Sequence, residues 1–82
     1  MPQWIYQKGE EYTIGSALQK LRHKNHLTQE AVAAQLQVRG LDITREMYAQ
    51  METGTYGIRI SVLIGLKKIF DAEYCDFFID LP

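Results

Sequence analysis

Arg45, Glu46, Ala49 and Gln50 carry the most chemistry in this chain, because helical spacing gathers them on one side of a single segment. Tyr48 and Met51, three residues apart, fall on the opposite side and suit burial. The polar side offers what base edges in a DNA major groove present partners for. Arginine matches guanine, glutamine matches adenine, and a small alanine lies against a thymine methyl. A solvated helix face with no partner is the alternative reading, and the surroundings have to decide between the two.

Other chemistry is sparse. His23, His26 and Cys75 are the candidate soft metal ligands, and their spacing fits no zinc motif, so they read as two surface histidines and a buried thiol with no metal. No nucleophile lies in a motif with a base, and neither paired carboxylates nor a phosphate loop occurs, which argues against an enzyme and against a cofactor. The single cysteine cannot form an internal disulfide and fits a reducing compartment. No apolar run reaches the roughly 18 residues needed to cross a bilayer. The start, Met1-Pro2-Gln3-Trp4, lacks a signal-peptide pattern, so a cytoplasmic location is expected.

Charge is more informative by region than in total. The 82 residues carry a net −1. Within 14–60, Lys20, Arg22, Lys24, Arg39, Arg45 and Arg59 outnumber Glu30, Asp42, Glu46 and Glu52. The flanks are acidic: Lys8, Lys67 and Lys68 face Glu10, Glu11, Asp71, Glu73, Asp76 and Asp80. A duplex responds to the face it meets, and here that excess implies modest, salt-dependent binding.

The elements that must position these groups follow from periodicity. Ile14, Ala17, Leu18 and Leu21 repeat at i, i+3, i+4 and i+7, a first helix ended by Asn25-His26. Thr28 is a good cap for a second helix over 29–37, with Val32, Ala33 and Leu36 inward. Its first turn, at Thr28 and Gln29, presents free N–H groups that favour a phosphate. A connection over 38–43 tucks Leu41 and Ile43 inward. Thr44 caps the third helix, 45–53, whose exposed N-terminus is a further phosphate contact, and Gly54 stands at its left-handed end. Tyr56 and Arg59, in the loop after it, are phosphate candidates that would fix register without reading sequence. Ser61 caps a fourth helix through Phe70, and 72–79 reads as a short fifth one packing Tyr74, Cys75, Phe77 and Phe78. Residues 1–13 stand apart. Trp4-Ile5-Tyr6 and Tyr12-Thr13-Ile14 flank a polar turn, either a short hairpin or one extended arm. Such an apolar arm must pack on the final helix, pair with its copy in a homodimer, or cover its own core.

The stretch Leu27-Thr28-Gln29-Glu30-x-Val32-Ala33-x-x-Leu36, then Ile43-Thr44-Arg45-x-x-Tyr48-x-x-Met51-Glu52-x-Gly54, resembles the Cro/phage-repressor helix-turn-helix family. The run from Leu63 to Phe78 matches that family's closing pattern without gaps, so the resemblance covers 14–78. It implies an all-α, compact five-helix domain over 14–82, with 1–13 as an arm or short β element outside it. It implies that Arg45, Glu46 and Gln50 contact bases, with Ala49 beside them, and that Gln29 touches the backbone and buttresses the third helix. It also implies a partly buried ion pair between Arg22 and Glu52. The chain departs from the family at Gln37, where a glycine is usual, and at 38–42, which looks like an insertion able to place Arg39 at the DNA backbone.

The expected function is a sequence-specific transcriptional regulator, a repressor, that binds double-stranded DNA as a homodimer and reads the major groove with the helix over 44–53. The homodimer would form through the arm and the final helix. The competing reading is a protein-interaction module or antitoxin-like regulator with the same fold and weak DNA affinity. The near-neutral charge and Glu46 on the reading face lean towards that alternative.

Overall fold

A computed structural model of the chain describes residues 4–5, 13–79 and 81. Among them the helical periodicity becomes α1 (Gly15–Lys24), α2 (Gln29–Val38), α3 (Arg45–Thr53) and α4 (Ile60–Phe70). The apolar positions of all four helices converge on one core. Leu18, Val32, Leu36, Tyr48, Leu66 and Phe77 are fully shielded from solvent, with Met51 and Val62 beside them. Each such side chain contributes about 1.5–3 kcal/mol of burial free energy. α3 packs against both α1 and α2, and α2 also packs on α4, so α3 is held from two sides. Among the described residues no helix is long and apolar enough to cross a membrane.

The expected fifth helix is a correction. Residues 72–79 form one 3-10 turn, Tyr74–Phe77, giving four α-helices rather than five among the described residues. Asp71 ends α4 in the left-handed region at φ 49°. The Asp76 side chain then accepts from the Glu73 N–H, at 3.0 Å, and tightens the turn before an α-helix can propagate. A three-residue period buries Phe77 alone, leaving Tyr74 at 45% and Phe78 at 38% exposure. Cys75 is likewise exposed, not the buried thiol that an α-helical spacing implied.

Two further boundaries differ. Ser61 does not cap α4; the helix begins at Ile60 with Arg59 in the capping position and no side-chain cap. α2 runs one residue further, to Val38, because Gly40 at φ 84° supplies the left-handed stop. The Leu41 N–H closes back on Leu36 O at 3.0 Å and the Gly40 N–H on Gln37 O at 2.9 Å, the paired bonds of a glycine-terminated helix. The apparent insertion is therefore partly helix and helix stop. Ile43 is buried, as expected, and Leu41 packs against the core.

The N-terminal arm pairs with a distant partner. Trp4–Ile5 (β1) runs antiparallel to Ile58–Arg59 (β2), with Trp4 opposite Arg59 and Ile5 opposite Ile58. Of the two readings of the arm, the hairpin would set 4–6 against 12–14, whereas the described pairing of Trp4–Ile5 is with Ile58–Arg59. Ile14 instead caps α1, and β1 finds its partner in the loop after α3 of the same chain. Residues 1–3 and 6–12, including the polar turn of that hairpin, lie outside the described residues.

Gly15 sets how closely α1 approaches α3. A Cβ there would meet the Glu52 carbonyl and the Met51 carbonyl oxygen, both backbone atoms that cannot swing away. Gly15→Ala is expected to destabilise the domain by about 1–3 kcal/mol, the usual cost of overpacking. Urea titration followed by circular dichroism measures this directly, and an unchanged midpoint would refute the close approach.

Candidate nucleic-acid interface

The two threonine caps that the sequence calls for are both in place. Thr28 Oγ1 accepts from the Ala31 N–H at 3.0 Å, and Thr44 Oγ1 accepts from the Met47 N–H at 3.1 Å. These caps fix where α2 and α3 begin, and hence where their free N–H groups point. Thr44→Ala should lower stability by about 1 kcal/mol, read as a shift in the chemical denaturation midpoint. A larger loss would mean that Thr44 does more than cap.

α3 is anchored through its last turn. Glu52 accepts from Arg22 Nε at 2.7 Å and from Arg22 Nη2 at 3.2 Å, a two-pronged ion pair between α3 and α1. Gln29 Nε2 donates to Glu52 Oε1 at 3.1 Å, which adds α2 to the same junction. Arg22 Nη1 also donates to Leu27 O at 3.0 Å, tying in the α1–α2 connection. The pair is largely shielded, with side-chain exposures of 12% for Arg22 and 5% for Glu52. Burial pushes the Glu52 carboxyl up, but the hydrogen bonds from Arg22 and Gln29, with the Arg22 charge and the nearby Tyr48 hydroxyl, outweigh it and leave its pKa below the ordinary value. The hydrogen bond to Glu52 likewise raises Arg22.

Tyr48 lies beside this junction. Its hydroxyl is buried and makes no hydrogen bond of ordinary length and angle, although it is close enough to Glu52 and Arg22 to feel both charges. Burial pushes the phenol far above its usual range, so it stays neutral. Sequence reasoning placed Tyr48 in the core on periodicity and had no signal for the polar end meeting the ion pair.

With its inner side held, α3 turns the opposite side outward. Arg45, Glu46 and Gln50 are exposed and Ala49 is half-buried. Arg45 Nη2 lies 3.8 Å from Glu46 Oε1, a loose pair with 52% and 72% of the side chains exposed. Such an exposed pair contributes little to stability and leaves Arg45 free to exchange partners. The Thr55 N–H closes on Gln50 O at 2.9 Å just past Gly54, which ends α3 in the left-handed region.

An open cleft of about 740 Å³ joins the starts of α2 and α3. Arg22, His23, His26, Leu27, Thr28, Gln29, Glu30 and Arg45 line it. Three DNA-contact candidates named from sequence, Thr28, Gln29 and Arg45, therefore meet in one place, together with Arg22 of the ion pair. His23, His26 and Glu30 are lining residues to which sequence reasoning assigned no DNA-contacting role; His23 comes from the last turn of α1 and His26 from the connection after it. Tyr56 is half-buried against the core and Arg59 is exposed on β2, outside the cleft. Arg39 does not join the set either. It lies at the far end of α2 and lines a separate groove with Leu41, Ser61, Ile64, Gly65 and Lys68.

No family model, no curated protein and no solved structure matches this chain. Two helix starts with free N–H groups border a cleft whose wall carries arginine and glutamine. That combination suits a ligand with a phosphate backbone and hydrogen-bonding edges.

Proposed function

We propose that this protein is a sequence-specific DNA-binding regulator of the helix-turn-helix, phage-repressor type. α3 enters the major groove and α2 lies across the phosphate backbone. The observation that carries the reading is the Gln29–Glu52–Arg22 junction: it fixes the inner side of α3 to both α1 and α2 while Arg45, Glu46 and Gln50 stay outward. Base readers are useful only when their helix is held rigidly, and this arrangement supports that role. Arg45 and Gln50 read base edges, with Ala49 and Glu46 setting which neighbours are accepted. Thr28, Gln29 and Thr44 hold phosphates at the two helix starts, while Tyr56 and Arg59 flank them. Arg39 falls outside this group.

Such a domain works without catalysis, cofactor or metal. It represses in the cytoplasm by occupying an operator as a homodimer, whose two recognition helices lie about one helical turn apart. The second reading, a protein-interaction module or antitoxin-like regulator with weak DNA affinity, draws support from Glu46. Its carboxylate sits on the reading face beside Arg45 and would repel phosphates.

Enrichment from random duplex DNA, followed by mobility-shift titration at two salt concentrations, tests the proposal. An enriched palindromic site whose affinity falls steeply with salt is the expected result. No enriched site, together with no retardation even at low salt, would overturn it in favour of the interaction module.

A further inference from the structure

While its histidines are neutral, the cleft at the starts of α2 and α3 is a poor match for a phosphate backbone. Arg22 and Arg45 supply its guanidinium groups, and Glu30 is the carboxylate in its lining. Arg22 is taken up by Glu52, and Arg45 stands 3.8 Å from Glu46. With these partners counted, two positive charges meet three negative ones. His23 and His26 line the same cleft, and protonation of both rings reverses its sign. Histidine is the side chain whose ordinary charge change falls between about pH 5 and 8.

Both rings are placed to act, and both residues are exposed. His23 Nε2 lies 3.4 Å from Arg22 Nη2. A guanidinium can only donate, so Nε2 accepts in this contact, which the neutral ring alone can do. Protonation sets two cations side by side instead, an arrangement that an anion between them relieves. The His26 ring makes no hydrogen bond or ion pair among the described residues. Its backbone is held in the left-handed region at φ 57°, where the His26 N–H donates to His23 O at 3.0 Å and the Leu27 N–H to Arg22 O at 3.1 Å.

The other charged and titratable groups around α1 are engaged elsewhere or stand aside. Lys20 and Lys24, on α1 itself, lie outside the lining. From α3, Glu46 and Glu52 face the two arginines, and burial keeps the Tyr48 phenol neutral. In the 3-10 turn packed on α1, Glu73 and Asp76 cap each other's backbone N–H groups, while Tyr74 and Cys75 lie outside the lining. Asp71, at the end of α4, is exposed and outside it too.

We propose that His23 and His26 are proton-linked phosphate contacts, so that duplex binding tightens as pH falls from about 7.5 to about 6. The inference rests on the DNA-binding reading and adds two contacts and a pH response to it. An imidazolium that holds a phosphate keeps its proton more firmly than one facing solvent. The complex therefore carries more protons than the free protein, and affinity rises as pH falls.

Fluorescence anisotropy of the full chain with an end-labelled duplex of random sequence, at fixed salt and at both pH values, tests this, since phosphate contacts carry no sequence information. Wild type should bind about fivefold or more tighter at the lower pH. Its salt slope should also be steeper there by about 1–2, one increment for each added phosphate contact. The double change His23→Gln with His26→Asn removes both titratable rings, and asparagine tolerates left-handed backbone. With its fold confirmed by circular dichroism, that variant should come close to wild type at the higher pH and show neither the pH response nor the steeper slope. A merely structural role would change its melting temperature and leave the pH response as it was. Equal wild-type affinity at the two pH values, or a double variant that keeps the response, would overturn the assignment and leave the regulator reading in place. Failure to bind any duplex at either pH would remove both.

Discussion

Glu52→Ala is expected to destabilise the domain by about 3–5 kcal/mol, because it strands a shielded arginine rather than merely deleting a contact. Arg22 loses both hydrogen bonds to Glu52, and Gln29 loses its acceptor. The Tyr48 hydroxyl, already without a hydrogen bond, is left facing an unmatched guanidinium. For a chain of this size, that loss corresponds to a melting temperature lower by about 12 °C or more. Arg22→Ala should cost a similar amount, since it leaves the carboxylate buried and also frees Leu27 O. The double variant should cost clearly less than the two singles added together, as neither charge is then orphaned. Thermal melts of the three variants decide the matter. Wild-type melting in both single variants would dismiss a stabilising role for the pair.

The same junction sets an acid limit on stability. The Glu52 carboxyl is held below its unfolded value of 4.5, so its contribution is fully present above that pH and is lost as pH falls through the lowered folded value. Glu52→Gln removes this component, and its stability should vary less with pH than that of wild type below the ordinary carboxylate range. Equal acid slopes in the two proteins would show that other carboxylates govern acid unfolding.

Much of this arrangement was legible in the sequence because it is local and periodic. Thr28 and Thr44 stand where a side-chain oxygen can reach an N–H three residues on, and both make that bond. The alternation of apolar and polar positions over 45–53 placed Tyr48 and Met51 inward and Arg45, Glu46 and Gln50 outward. What was missed has two physical causes. Short segments are decided by tertiary fit, so 72–79 settled into a 3-10 turn despite an apolar pattern that an α-helix would also satisfy. Long-range partners leave no local trace. Nothing near Trp4–Ile5 announces Ile58–Arg59 as its strand partner, and nothing near Gly15 announces the backbone of Glu52. Gly40 falls between these cases: it was visible as a loop glycine, while its role as the stop for α2 depends on bonds back to Leu36 and Gln37.

Arg45→Ala and Gln50→Ala are expected to leave stability almost unchanged, since both side chains project into solvent. On the proposed reading, each should erase preference at one base pair, a loss of about 1–3 kcal/mol or ~5- to 150-fold in discrimination. The salt dependence of Gln50→Ala should match wild type, because no phosphate contact is removed. Gln29→Ala separates positioning from reading. It removes a bond to Glu52 and a group at the start of α2, so affinity should fall for all sequences by a similar factor while the preferred site stays the same. Glu46→Gln makes the opposite test of charge. It releases Arg45 from its 3.8 Å neighbour and removes a negative charge from the reading face, so duplex affinity should rise. Mobility-shift titrations against the enriched site and single-base variants of it read all four. If Arg45→Ala and Gln50→Ala bind every duplex as wild type does, α3 is not the reading helix, and its outward face has to be explained by a protein partner instead.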